Sequence, residues 1–297
     1  MDSLKRIAAI NDISGLGKCS LTVALPVISA TGVECSVIPT ALLSTHTGVF
    51  SGWTLEDLSE QILPIANHWH EINAHFDGIF TGYLANPAQG ELIRKTIELL
   101  RSEDTKVIVD PAMADNGKYY SNLDEGMTKC FRDLFQYADI VTPNFTEACF
   151  LAGVDYEEGP VSVSHVEMIM DRILDLGPST VVVTSVSLEE NNIGMLSKEK
   201  GSNKVYQAMA HELTGMFHGA GDVFASAFSA LLIRGAELAD ATEIAMRFTS
   251  DAIGRTAARG TPRHYGLDFE SALPAYVLEV DRISNVIDQE KLTENSK

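Results

Sequence analysis

Short stretches typical of β-strands alternate with longer stretches typical of α-helices along almost the whole chain. The strand-like stretches are short apolar runs at residues 6–10, 34–39, 78–80, 106–109, 139–141 and 180–184. Between them, apolar residues recur three or four positions apart, as Ile93, Ile97 and Leu100 do, which is the spacing of a helix with one buried face. The alternation predicts βαβ units and therefore an α/β fold. We expect a three-layer αβα sandwich, in which a mostly parallel central sheet is covered by helices on both faces.

The pattern changes in the last third of the chain. Two extended arms within residues 193–211 flank residues 198–203, and they predict a small hairpin at one edge of the sheet. After Asp222 the sequence is mostly helical. Since no Pro/Ser-rich linker or internal repeat interrupts it, we predict a single domain over residues 1–290 and a frayed tail over residues 291–297.

The charge and the cysteines restrict the partners and the compartment. The 297 residues include 22 Lys and Arg and 41 Asp and Glu, a formal net charge of −19, so we expect neither nucleic acid nor a membrane surface as a partner. No apolar run approaches the roughly 18 residues of a spanning helix, and the apolar stretch after Arg6 is too short for a signal peptide. Because the four cysteines have no CxxC spacing, we predict reduced thiols and a cytoplasmic location.

The sequence HGAGD at residues 218–222 precedes an apolar run of helix-forming composition. Two glycines around one alanine allow a tight turn. The first N–H groups of a helix lack intrahelical partners and the dipole favours negative charge there, so this loop can hold a phosphate. Asp222 adds a carboxylate that suits a base deprotonating a hydroxyl as it attacks phosphorus. The alternative is an ordinary N-cap aspartate after a glycine turn.

Polar side chains follow the predicted strands. In open parallel sheets, ligands bind at the C-terminal ends of the strands, so residues at these positions are candidates for a binding site. They are Asn11, Asp12, Thr40, Thr81, Tyr83, Asp110, Thr142, Asn144, Thr184 and Ser185.

Three carboxylates, those of Asp110, Asp115 and Glu147, follow two of these strands. Beside a phosphate they would repel one another without a cation, and oxygen ligands together with phosphates suit Mg²⁺. The alternative is structural: Asp110 can cap a turn, and Glu147 can lie in the first turn of a helix.

The sequence DISGLGKCS at residues 12–20 contains a Gly-Lys pair but is not a Walker A loop. Asp12 stands where that motif has glycine, and Cys19 replaces its Ser or Thr. As a dinucleotide fingerprint, the stretch lacks the third small residue of the strict form. We expect instead a turn between strand and helix from which Asp12 and Ser14 face a substrate.

His68, His70 and His75 lie close together in the sequence, but their spacing does not match a zinc protease motif. On a helix, His68 and His70 point to different sides. We therefore predict a solvated helix face.

The motifs, taken in order, resemble the ribokinase-like superfamily and, within it, the pyridoxal/pyridoxamine (vitamin B6) kinases. They are STHTG at 44–48, TGYL at 81–84, DPAMAD at 110–115, TPN at 142–144 with Glu147, VTS at 183–185 and GAGD at 219–222. They span nearly the whole chain, and the ordered set is much more specific than any member. The resemblance implies a ribokinase-like fold and ATP-dependent phosphorylation of the 5′-hydroxymethyl group of pyridoxal, pyridoxamine or pyridoxine.

The resemblance also implies roles by position. Asp222 would be the base for the 5′-hydroxymethyl oxygen, and the backbone of Gly219, Ala220 and Gly221 would form the anion hole for the moving phosphoryl group. Further roles are implied for Asp115 and Glu147 around Mg²⁺, for Asp110, Thr142, Asn144, Thr184 and Ser185 around ATP, and for Asp12, Ser14, His46, Thr47 and Tyr83 around the substrate. A monovalent cation (K⁺ or Na⁺) near Asp110 and Thr142, and a homodimer, are further expectations from the family.

The chain departs from the family pattern at two informative positions. Ala220 replaces the usual Thr, which should preserve an anion hole made of backbone N–H groups. Asp12 stands where many B6 kinases have Ser, and together with Ser14 and Gly15 it is similar to the hydroxymethylpyrimidine kinases of thiamine synthesis. The alternatives are therefore a hydroxymethylpyrimidine kinase or a non-catalytic B6- or nucleotide-binding sensor on the same fold. A dinucleotide-dependent oxidoreductase comes last.

Overall fold

The structure is a computed structural model that describes residues 4–213, 215–260 and 263–294. Within those residues the strands are β1 Arg6–Ser14, β2 Glu34–Leu43, β3 Leu55–Asp57, β4 Gly78–Thr81, β5 Lys106–Val109, β6 Ala114–Asp115, β7 Lys118–Tyr119, β8 Ile140–Val141, β9 Thr180–Val186, β10 Asn192–Glu199 and β11 Tyr206–His211. The helices are α1 Leu21–Ser29, α2 Ser59–Glu71, α3 Pro87–Leu100, α4 Glu125–Phe135, α5 Phe145–Ala152, α6 Val163–Leu174, α7 Ala220–Ile233, α8 Leu238–Arg259 and α9 Leu273–Glu294, with a 3₁₀ turn at Arg263–Tyr265.

One nine-stranded sheet forms the centre, in the order β11-β10-β9-β8-β5-β4-β1-β2-β3. The six strands from β9 to β2 in that order pair in parallel. The hairpin β10–β11 extends one edge and β3 the other, both antiparallel. Because the parallel strands point the same way, their C-terminal ends meet at one edge of the sheet, where ligands bind in this architecture.

Both faces of the sheet are buried, and this follows from the alternation of side chains along each strand. In β1, Ile7 and Ala9 pack into a core with α1, α7 and α8. Ala8 and Ile10, which point the other way, pack into a second core with helices α2 to α6. The predicted α/β fold, a mostly parallel sheet between two helical layers, is therefore confirmed.

The predicted edge hairpin is confirmed by β10 and β11, and the mostly helical end by α7, α8 and α9. The strand ends are less accurate. β1 continues to Ser14 and β2 to Leu43, so the turn expected at Asp12 is wrong. Asp12 lies inside β1, at a point where the pairing with β2 shifts register between Asn11 and Ile13.

α9 includes residues 291–294 of the tail expected to be frayed, and residues 295–297 lie outside the described residues. The single domain over residues 1–290 stays a prediction. All four cysteines are free thiols, as predicted. In the described part of the chain, no helix is both long and apolar enough to cross a membrane.

Candidate active site

Helix α7 begins directly at the glycine loop. Gly219 is its N-cap, with φ 81°, and Asp222 lies in its first turn. The alternative of an N-cap aspartate is therefore wrong. Among the described residues no side chain caps this N-terminus, although the Ala220 N–H donates a long hydrogen bond to the Phe217 carbonyl at 3.4 Å. The positive end of the helix dipole therefore faces a position that favours an anion.

The conformation of Gly219 is required by a close contact. Its φ lies in the left-handed region that favours glycine, and a Cβ atom there would overlap the carbonyl oxygen of Lys18. The start of α7 therefore packs directly against residues 17–20, which we call the 17–20 loop and which form the second part of the connection between β1 and α1. At Gly221, by contrast, an added Cβ would meet no atom within 4 Å.

The Asp222 carboxyl group lies among other acids at the C-terminal edge of the sheet. Burial, helped by the nearby Asp12 charge, raises the pKa of Asp222 to about 7, and a hydrogen bond from the Ser20 backbone amide partly offsets this. Burial and the Asp222 charge in turn raise the pKa of Asp110. A carboxyl group with a pKa near neutrality is suited to accept a proton from a hydroxyl group.

Glu147 fastens the loop after β5 to helix α5. Its Oε1 accepts hydrogen bonds from the backbone N–H groups of Met113 (2.9 Å) and Ala114 (3.3 Å), and Oε2 accepts one from Asn144 (2.8 Å). Burial, together with the charge of Asp110, raises the pKa of Glu147 well above its usual range. The structural alternative for Glu147, a place in the first turn of a helix, is therefore confirmed. Its role near Mg²⁺ stays a prediction.

Both polar atoms of the Asn144 side chain also form hydrogen bonds within the protein. Its Oδ1 accepts from the Glu147 backbone (2.9 Å) and completes a capping box, while its Nδ2 donates to the Ala114 carbonyl (2.7 Å). Thr142 donates to Asp110 at 3.2 Å. These two predicted ATP-binding side chains thus have protein partners, and their contact with a nucleotide stays a prediction.

A cavity of about 590 Å³ opens beside the start of α7, a volume suited to a ligand of nucleotide size. It collects six of the predicted site residues, namely Asp115, Asn144, Thr184, Ser185, Ala220 and Gly221. Apolar side chains from the β10–β11 hairpin and from α7 and α8, such as Ile193, Phe224 and Ile253, line the rest. The cavity thus joins an apolar region to a helix N-terminus.

The charge around this cavity is negative. Asp115, Glu157, Glu158 and Glu212 line it, and no Lys or Arg does so among the described residues. In the same part of the chain, no three His, Cys, Asp or Glu side chains converge to hold a metal ion by themselves. This donor set fits Mg²⁺, which binds through one or two carboxylates, waters and the phosphates of a nucleotide.

Asp12 and Ser14, predicted to face a substrate, are buried side by side in β1. The Asp12 carboxylate accepts hydrogen bonds from the hydroxyl groups of Ser14 (3.0 Å) and Ser20. Burial raises the pKa of Asp12, and these hydrogen bonds partly offset the effect. Among the described residues no Lys or Arg forms an ion pair with Asp12, and the nearby His46 ring has only a small lowering effect on the Asp12 pKa.

His46 is buried and bound on both ring nitrogens. Nε2 lies 2.7 Å from the His264 carbonyl, and Nδ1 accepts from the Gly48 amide at 3.2 Å. Because Nδ1 accepts, these bonds assign the proton to Nε2. The ring stacks on His218, with centroids 5.0 Å apart, and contacts Phe50. His46 therefore joins segments of the protein, and its bond to a substrate stays a prediction.

Tyr83 and Thr47, the other predicted substrate residues, are both partly exposed. The Tyr83 hydroxyl accepts a hydrogen bond from Asn122 at 2.6 Å. Burial, together with the nearby Asp12 charge, raises the pKa of Tyr83.

Comparisons with known proteins show the family and the fold. A sequence profile of the phosphomethylpyrimidine kinase family matches residues 25–266. The chain belongs to this family. The pyridoxal kinase of Lactobacillus plantarum shares 30% identity and a TM-score of 0.84, and the alignment covers 93% of this chain and 98% of that one. These findings confirm the predicted ribokinase-like fold.

Two further relatives carry related names. A Bacteroides thetaiotaomicron protein described as a phosphomethylpyrimidine kinase, solved in a crystal form with pyridoxal, shares 31% identity and a TM-score of 0.88, covering 92% of this chain and 96% of that one. The pyridoxal kinase PdxY of Rubrobacter xylanophilus is 27% identical over 241 residues, which is 77% of this chain and 80% of the relative.

Tyr120 and Ser20 lie beside the carboxylates of the site but were not identified from the sequence. Tyr120 lies in a group of carboxylates, since burial and the charges of Glu147, Asp115, Asp110 and Asp222 raise its pKa well above its usual range. Ser20 contacts both Asp12 and Asp222. Tyr120 belongs to no motif, and Ser20 ends the 12–20 stretch, in which only Asp12 and Ser14 were predicted to face a substrate. His68 and His70 are exposed on α2, which confirms the predicted solvated face.

Proposed function

We propose that the chain transfers the γ-phosphoryl group of ATP to the 5′-hydroxymethyl group of pyridoxal, pyridoxamine and pyridoxine. The observation that carries this proposal is the carboxyl group of Asp222, with a pKa of about 7, in the first turn of α7 beside a cavity of nucleotide size. Membership of a kinase family and the names of the relatives support the reaction and the substrate class.

In the proposed mechanism, Asp222 accepts the proton of the substrate hydroxyl as its oxygen forms a bond to phosphorus. The bond from phosphorus to the ADP oxygen breaks at the same time. The backbone of Gly219, Ala220 and Gly221, at the positive end of the α7 dipole, stabilises the charge that develops on the phosphoryl oxygens. Asp115 would hold Mg²⁺ through water, and Glu147 would keep the loop that carries Asp115 in place. When bound, Mg²⁺ supplies positive charge to the phosphates.

The rate should fall as the pH drops through the pKa of Asp222. A protonated Asp222 cannot accept a proton, so we expect the acid limb of kcat/KM to have its midpoint near the pKa of about 7. The measurement is a pH profile with saturating Mg²⁺. A rate that is constant across this pH range would contradict the role of Asp222.

Activity should require a divalent cation, because the acids that line the cavity face a polyphosphate without Lys or Arg among the described lining residues. Turnover should be lost in excess chelator and restored by added Mg²⁺. Asp115→Asn should raise the Mg²⁺ concentration for half-maximal rate with only a small change in Tm, since the Asp115 carboxylate accepts hydrogen bonds only from the adjacent, exposed Asn116. Glu147→Gln should lower Tm, since an NH₂ group would replace one of the two oxygens that accept hydrogen bonds from three backbone N–H groups. Full turnover in chelator would contradict the metal site.

A hydroxymethylpyrimidine kinase remains the second candidate, because the family profile carries the name phosphomethylpyrimidine kinase and because Asp12 stands where many B6 kinases have Ser. Both candidates use the same mechanism at Asp222. They differ in the ring that the enzyme holds.

Asp12 should influence the choice among B6 vitamers. A buried carboxylate without a cationic partner favours a ligand with a protonated ring nitrogen or a cationic amine, so pyridoxamine should be handled at least as well as pyridoxal. Asp12→Ser should lower the ratio of kcat/KM for pyridoxamine to kcat/KM for pyridoxal. Ser14→Ala is the matched control, because it removes one hydrogen bond to Asp12 and keeps the charge. If pyridoxamine is the poorest vitamer of the wild type, this role of Asp12 is wrong.

A monovalent cation near Asp110 and Thr142, and a homodimer, belong to the same proposal. Both rest on the family resemblance. Replacing K⁺ by Na⁺ or by an organic cation in the assay tests the first, and sedimentation of the purified chain tests the second.

A further inference from the structure

Lys18 lies between β1 and α1 and binds a distant part of the chain. Its Nζ donates to the Leu267 carbonyl at 2.9 Å and pairs with the Glu270 carboxylate at 2.7 Å. The ammonium group also lies 5.6 Å from the centroid of the Phe269 ring. Lys18 is not among the described residues that line the cavity of about 590 Å³ beside the start of α7. It fastens the 17–20 loop to residues 264–270, which we call the C-terminal strap.

Two further contacts join the strap to the site. At Gly266, with φ 86°, an added Cβ would overlap the Gly17 carbonyl oxygen, so the two backbones are in direct contact. The His264 carbonyl is held by the His46 ring at 2.7 Å. The strap thus contacts the 17–20 loop at Gly266, Leu267 and Glu270, and it contacts His46 at His264.

The 17–20 loop has a strained backbone. Lys18 has φ 50° and Ser20 has φ 56°, values in the left-handed region that L residues with side chains rarely adopt. Such strain persists only where the surroundings hold the conformation, and it is common at active sites. Here the ion pair, the Leu267 hydrogen bond and the Gly266 contact hold it.

The strained loop presents three groups to the site. The Ser20 hydroxyl binds Asp12, and the Ser20 amide faces the Asp222 carboxylate. The Lys18 carbonyl packs against Gly219, the N-cap of the helix that carries Asp222. A change in the position of this loop would therefore move the neighbours of Asp222 and of the anion hole together.

We propose that Lys18 is a positioning residue for Asp222, and that it acts by fastening the 17–20 loop to the C-terminal strap so that Ser20 and Gly219 hold the carboxylate in place. This inference rests on the proposed kinase function. Lys18 binds Leu267 and Glu270 and would contact neither ATP nor the B6 vitamer, so it would act on the reaction through the position of Asp222.

The test is a double-mutant cycle that measures kcat and the KM for ATP with a B6 vitamer as the acceptor. Lys18→Met should lower kcat by about tenfold, since small displacements of catalytic groups cost this much or more, and should leave the KM for ATP unchanged. In the Asp222→Asn background, the same change should cause a smaller loss, because only the contribution of the anion hole through Gly219 is left to disturb. Lys18→Arg, which can donate to both partners, should restore the rate. Glu270→Gln, which removes only the ion pair, should give the same pattern with a smaller loss.

The control is Lys5→Met. Lys5 forms an ion pair with Asp77 at 2.7 Å, the same length as the pair of Lys18 with Glu270. Lys5 lies just before the start of β1, whereas Lys18 follows the end of that strand. Lys5→Met should leave kcat unchanged. Equal losses from Lys18→Met in the two backgrounds, or no loss at all in an active enzyme, would overturn the inference and leave the kinase function intact. A wild type that phosphorylates no acceptor would overturn both.

Discussion

Asp222→Asn should fold normally, bind ATP, and lower kcat by roughly 10²- to 10⁴-fold, the usual contribution of a positioned general base. The amide has almost the same shape as the carboxylate but cannot accept the hydroxyl proton. The substitution also removes a buried carboxyl group. Burial raises the pKa of that group to about 7, so its negative charge does not stabilise the fold and its loss should not lower Tm. The measurement is kcat together with Tm.

Ser226→Ala is a matched control on the same helix. Ser226 is fully buried one turn further along α7, and its hydroxyl oxygen has no hydrogen-bond partner in the described structure. It should leave kcat unchanged. An Asp222→Asn variant with wild-type kcat and wild-type Tm would remove Asp222 from the mechanism.

Gly219→Ala should be the second most damaging change. An alanine at φ 81° would be strained by about 1–3 kcal/mol, and its Cβ would overlap the Lys18 carbonyl. The start of α7 would have to shift, so we expect a lower Tm and a fall in kcat of about 10²-fold, because the anion hole and Asp222 move together.

Gly221→Ala separates the backbone requirement of Gly219 from a general intolerance of this loop to larger side chains. Its added Cβ would meet no atom within 4 Å, so Tm should be equal to or higher than that of the wild type. Because Gly221 lines the cavity, its KM for ATP is expected to rise. A Gly219→Ala variant that matches the wild type in both Tm and kcat would contradict the anion-hole geometry.

The sequence was sufficient to predict the parallel sheet, the edge hairpin and the position of the glycine loop before α7. Strand ends were harder to predict, because polar residues such as Asp12, Thr40 and Thr81 look like turn signals while they lie buried within strands. β3 was missed because its three residues are all exposed and show no alternation.

The site was only partly predictable for a related reason. Motifs reveal residues that share a local spacing, but Lys18 meets Leu267 and Glu270 across 249 and 252 positions of the chain. The capping box between Asn144 and Glu147 was readable from local sequence, and one alternative for Glu147 anticipated its place in α5. The contact of Glu147 with Met113 depends on how α5 packs against the loop after β5, which no local pattern encodes.

The central claim, that this chain phosphorylates a hydroxymethyl group on a B6 ring, is tested most directly by one substrate panel. Purified wild-type chain is assayed with ATP and Mg²⁺ against pyridoxal, pyridoxamine, pyridoxine and hydroxymethylpyrimidine, with ADP release and the phosphorylated product both measured. We predict phosphorylation of all three B6 vitamers, each with a higher kcat/KM than hydroxymethylpyrimidine. A higher kcat/KM for hydroxymethylpyrimidine than for every vitamer, or phosphorylation of none of the four, would contradict the account.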